Sequence, residues 1–145
     1  MKVVSAYSRL RSGLGALTAT ALLLVTVSAA AEDVKVNLTG AEETPPVTTS
    51  ATGMGTIHIH KDKTVSGTIK TQGIEGTVAH IHLGPIGQAG PPIITLTKGA
   101  NGTWTVPKGS KLTDEQYQSF KNGDLYVNVH SEAHKPGEIR AQLKP

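Results

Sequence analysis

An antiparallel β-sandwich carrying one short helix is the fold this sequence predicts, and three observations predict it. Apolar residues recur at every second position over most of the chain after Glu32. Gly, Pro and Asn-Gly punctuate those runs at short, regular intervals. Only one segment carries helix-start and helix-stop signals, too few crossovers for parallel βαβ units.

The elements follow in order. Residues 1–31 read as a secretory signal peptide. Lys2, Arg9 and Arg11 make a basic start, Gly13–Val27 is mostly apolar, and Ser28-Ala29-Ala30-Ala31 supplies the A-x-A spacing before Glu32. The apolar run, of about 15 residues, is short of the ~20 a membrane span needs. The expected domain is therefore 32–145, secreted or periplasmic, with no membrane span once the leader is removed. In the first strand Val34, Val36 and Leu38 alternate with polar residues. Gly40–Gly55, with Pro45-Pro46 at its middle, reads as a loop or irregular edge; Glu42 and Glu43 in it read as solvated. Thr56–His60 and Val65–Thr71 form strands about an Asp62-Lys63 turn. Thr77–Leu83 is the central strand, followed by a loop too rich in Gly and Pro for helix or inner strand. Ile93–Thr97 and Gly102–Val106 flank the Asn101-Gly102 turn.

The helix starts at Thr113, with Gln116 completing a capping box and Leu112 and Tyr117 placed as a hydrophobic staple. Gly123 is the expected stop, and Tyr117 and Phe120 share its buried face. Leu125–His130 and Glu138–Leu143 are the last strands.

Composition narrows the function. The chain has 14 basic and 11 acidic residues, and the three basic residues of the leader account for the whole excess of +3. The remaining chain is formally neutral and has no field to steer it to nucleic acid. There is no cysteine, hence no disulfide scaffold, thiolate nucleophile or thiolate ligand. A metal would be held by imidazole, carboxylate or carbonyl groups. No G-x-S-x-G elbow or phosphate-cradling loop is present, and no residue is assigned a catalytic role.

Four of the six histidines fall in two H-x-H pairs, His58/His60 and His80/His82. Residues two apart on a strand share a face. His80 and His82 oppose Ala79, Ile81 and Leu83; Tyr126, Asn128 and His130 oppose Val127 and Val129; Glu138, Arg140 and Gln142 oppose Ile139, Ala141 and Leu143. With the aliphatic residues inward, the others form a polar patch. His80, His82 and His130 are the candidate ligands of a copper or zinc ion, provided that their strands are neighbours. Asn128 and Gln142 are placed to orient a ring by accepting its second N–H. The competing account has the histidines only bracing the Gly/Pro loop. Arg140 is expected to hydrogen-bond within the patch, so that Arg140→Ala costs roughly 1–3 kcal/mol.

Three ordered motifs carry a family resemblance. Leu38-Thr39-Gly40-Ala41-Glu42-Glu43-Thr44-Pro45-Pro46-Val47 resembles the opening of the CHRD domain, the module first described in chordin. Ala79-His80-Ile81-His82-Leu83-Gly84 with Gly90-Pro91 resembles its central motif. Leu125-Tyr126-Val127-Asn128-Val129-His130 with Pro136-Gly137-Glu138-Ile139-Arg140-Ala141-Gln142-Leu143 resembles its closing motif. The resemblance implies a secreted β-sandwich related to immunoglobulin-like folds. It places the family's motif residues on His80, His82, Asn128, His130, Glu138 and Arg140. Ala141, where the family usually has Gly, and the extra Lys135 depart from the pattern; His58 and His60 lie outside it. The functional expectation is a non-catalytic binding module for an unidentified protein or metal ligand. The alternative is a periplasmic copper- or zinc-binding protein. A dismutase-type enzyme is the third reading. The H-x-H strand is similar to that of copper–zinc superoxide dismutase, but the bridging histidine, zinc-loop ligands and disulfide cysteines have no counterparts here.

Overall fold

The computed structural model describes residues 30–145 and Lys2. The predicted leader falls almost wholly outside the described residues. Among those described, no helix is long and apolar enough to cross a membrane.

The described residues form nine antiparallel strands: β1 Ala31–Thr39, β2 Thr52–His60, β3 Val65–Gln72, β4 Gly76–Leu83, β5 Pro92–Thr95, β6 Thr97–Lys98, β7 Thr103–Thr105, β8 Leu125–Ser131 and β9 Ile139–Leu143. Helix α1 spans Asp114–Lys121. The strands hydrogen-bond in the order β5-β4-β8-β9-β1-β2-β3-β7-β6. The first and last strands of that order are separated in the chain by Leu96 alone. One continuous stretch therefore stitches the two ends of the sheet together, helped by the Leu96 N–H bond to the Ala79 carbonyl (2.9 Å). The other seam, between β1 and β9, has a single paired position, Thr39 with Arg140. The result is an all-β, nearly closed sheet.

Burial explains the closure. Leu38, Ile57, Ile69, Ile81, Val127 and Ile139, one face of six strands, meet inside with Trp104 and Phe120. Each such side chain contributes about 1.5–3 kcal/mol on leaving water, a gain available only if the walls face each other.

The strand runs differ from expectation at two places. β2 begins at Thr52, four residues before the alternation becomes legible. Gly53 and Gly55 have no side chains to display a period, yet their backbones pair with Leu38 and Val36 of β1 and with Thr71 and Ile69 of β3. The expected strand Ile93–Thr97 divides at Leu96, because its two halves serve opposite ends of the sheet.

Local signals at the helix are borne out. The Thr113 hydroxyl accepts from the Gln116 N–H (3.2 Å), and the Gln116 side chain accepts from the Thr113 N–H (2.9 Å). Gly123, at φ 79°, turns the chain out of the helix. The Asp124 N–H closes on the Ser119 carbonyl and the Gly123 N–H on that of Phe120, both at 2.8 Å, the pattern of a Schellman stop.

In β8 both faces are buried, at all seven positions. The inward face packs in the core; the outward face is roofed by the Gly84–Pro91 loop, the Glu43-Thr44 turn and the loop before β9.

Candidate metal centre

Under that roof lie the histidines. Ala79 and Ile81 of β4 point into the core, which turns His80 and His82 outward. Val127 and Val129 do the same for Tyr126, Asn128 and His130 of β8. The β4/β8 register pairs His82 with Tyr126, His80 with Asn128 and Val78 with His130. A bulge between Gly76 and Val78 interrupts the ladder beside His130.

His80, His82 and His130 converge. Their ring centroids lie 5.0–5.8 Å apart. One nitrogen from each falls within 4.8 Å of the others. His80 Nδ1 and His130 Nε2 are 3.1 Å apart. Tetrahedral ligation at ~2.05 Å puts neighbouring nitrogens about 3.4 Å apart, so the cluster has the dimensions of a three-imidazole site. Among the described residues this is the group of three with such convergence.

The outer ring nitrogens define the tautomers. His82 Nδ1 donates to the Gly90 carbonyl (2.8 Å) and His130 Nδ1 to the Lys135 carbonyl (2.7 Å). A carbonyl only accepts, so each Nδ1 carries a proton and each neutral ring presents a lone pair at Nε2. Backbone carbonyls commonly orient metal-ligating histidines in this way. Of the three rings His82 is the one that braces the Gly/Pro loop, His130 bracing the loop before β9 instead, and in both the bracing uses Nδ1 and leaves Nε2.

Two atoms in the cluster lack partners. His82 Nε2 and Asn128 Oδ1 are buried and make no hydrogen bond. Asn128 uses its amide nitrogen on Glu43 Oε1 (3.3 Å), which leaves its oxygen for the histidine side. The amide lies near enough to favour a proton on His82, although no bond of normal geometry forms. With His82 neutral, two buried acceptors go unsatisfied, and each such group costs about 1–3 kcal/mol. A proton on His82 would relieve this, but burial pushes its pKa down, against the Gly90 hydrogen bond. Burial, with smaller contributions from His130 and His82, also lowers His80. Burial thus favours the neutral form of His80 and His82.

The rest of the polar patch braces the roof. Arg140 donates to the Pro85 and Gln88 carbonyls (3.1 and 2.9 Å) and to Gln142 (3.0 Å), and sits 3.5 Å over the Tyr126 ring. Tyr126 in turn stacks on His82, with centroids 4.7 Å apart. Gln142, expected as a possible ring partner, instead donates to the Gly84 and Gly123 carbonyls (2.9 and 2.8 Å). Glu138 accepts from Thr49 and Ser131 (2.7 and 2.5 Å). Of the four patch residues, Asn128 is the one with a buried, unbonded polar atom.

Glu43 requires a correction. Read from sequence as solvated, it is 7% exposed and bonded to Asn128, and burial raises its pKa. The exposed Glu42 behaves as expected. No local pattern marks Glu43 as buried: its partner is Asn128, far away in the chain. His58 is bonded to Asp33 (2.6 Å) at the surface, and it and His60 stay apart from the cluster, as does His134.

A nearly closed antiparallel sheet with a loop-roofed histidine cluster defines an all-β domain module. The model of the CHRD domain matches residues 34–143, and the chain belongs to the CHRD family. No curated protein and no solved structure gives a significant match.

Proposed function

We propose that this chain is an exported, non-catalytic CHRD-type binding module, acting in the periplasm or outside the cell, whose ligand is a copper or zinc ion held by His80, His82 and His130. The observation that carries the metal assignment is the pair of acceptors, His82 Nε2 and Asn128 Oδ1, each buried without a donor on two residues that lie near each other. A cation bound there satisfies both. Neutral imidazoles favour copper and zinc, and the sequence offers no cysteine to compete. Export rests on the basic start, short apolar run and A-x-A site. A holding role rests on the extent to which the surrounding polar groups brace one another and the roof.

Elemental analysis of protein purified from the periplasm without chelator or affinity tag, followed by calorimetric titration, tests the metal. Near-stoichiometric copper or zinc is expected, with binding tighter than micromolar that is lost in His82→Ala and kept in His134→Ala. Weaker binding, or binding indifferent to His80, His82 and His130, would end the proposal. Superoxide turnover by the loaded protein would replace the holding role with an enzymatic one.

A further inference from the structure

We propose that Asn128 is the fourth ligand of this centre, through Oδ1, and that Glu43 is the positioning residue that aims it. The inference rests on the three-histidine reading above.

Three imidazoles leave one position open in a tetrahedral site. Asn128 is paired with His80 in the ladder, and its oxygen is buried and unbonded. An amide can present either end. Here the choice is dictated from behind, because Glu43 Oε1 accepts from Nδ2, and a carboxylate oxygen has no use for the amide oxygen. The oxygen is thereby turned away from Glu43, and the amide lies near the His82 ring, whose Nε2 lacks a partner.

Gly137 shows how closely this pair is held. At φ 141°, its α-carbon lies against both groups. A β-carbon there would collide with Glu43 Oε1 and approach Asn128 Nδ2 to 2.6 Å. The Glu43–Asn128 contact is thus clamped by backbone. An acceptor oxygen on Nδ2 polarises the amide and makes Oδ1 a better donor atom to a cation.

The test uses cobalt(II) as a spectroscopic probe, zinc as competitor, and protein recovered after export of the full chain. Wild type should bind one equivalent of cobalt with the intense visible bands of a tetrahedral site. Asn128→Ala should weaken binding by about 10- to 100-fold and change those bands. Glu43→Ala should do the same, whereas Glu43→Gln, which keeps an acceptor oxygen, should restore near-wild-type bands. A purely structural role for Glu43 would not move the spectrum of the folded, loaded protein. If Asn128→Ala keeps wild-type bands and affinity while His82→Ala abolishes binding, the fourth-ligand assignment falls and the histidine site stands. If wild type binds neither metal, both fall. Should Asn128→Ala fail to fold, a crystal structure of zinc-loaded wild type decides. Oδ1 within about 2.4 Å of zinc supports the assignment, and a water in the fourth position overturns it.

Discussion

Replacing Arg140 by alanine should be the most damaging single change in the polar layer, and its cost can be worked from the contacts. The side chain is 2% exposed. Its loss strips a donor from the Pro85 and Gln88 carbonyls and from the Gln142 side chain. The roof loop is partly open to solvent, so water can reach some of these acceptors, and each costs about 0.5–1 kcal/mol, toward the low end for lost hydrogen bonds. The guanidinium on Tyr126 adds about 1 kcal/mol for a partly desolvated cation–π contact. The total is about 3 kcal/mol, at the upper end of the range expected from sequence. Urea unfolding reads it directly. With a slope of about 1.5 kcal/mol/M for a domain of this size, the midpoint should fall by about 2 M at unchanged slope. Arg140→Lys keeps the charge but not the planar fork, and should recover less than half of the loss. A midpoint shift below about 0.3 M for Arg140→Ala, or a lysine variant equal to wild type, would refute the view that this residue ties the roof to the sheet.

Other outcomes follow from the same contacts. Burial holds His80 and His82 below their usual pKa, so their contribution to stability is complete above about pH 6.5 and is lost as pH falls through the lowered folded values. Glu43, raised by burial, runs in the opposite sense, its contribution present below about pH 4.5 and lost as pH rises through its folded value. The urea midpoint of metal-free protein should therefore drop between pH 7 and pH 5, and less so in His82→Gln. Thr113→Ala removes the hydroxyl that caps α1 and should cost about 1 kcal/mol by the same assay. Gly90→Ala would drive a methyl group into the Leu83 carbonyl. It should cost about 1–3 kcal/mol and weaken zinc binding, since the Gly90 carbonyl orients His82. Mass spectrometry of exported protein should show a chain beginning at or within two residues of Glu32; retention of Met1 would contradict the leader.

Much of the chain's local order was legible without coordinates. The period of two placed Ala79 and Ile81 inward and His80 and His82 together on the other face, because alternation is a property of each strand alone. The capping box and Gly123 bounded the helix for the same reason: their hydrogen bonds span only a few residues. What the tertiary structure decided was which strands became neighbours. Nothing in Leu125–Ser131 says that it lies beside Gly76–Leu83 in the register that brings His130 to His80, 50 residues away in the chain. Nor does Glu43 announce a partner 85 residues on. The stitch at Leu96 and the roof over β8 were hidden likewise. Hydrophobic alternation specifies which face of a strand leaves water. Register and loop cover arise only when all the strands bury that face at once, and then the polar side, too, can be closed from solvent.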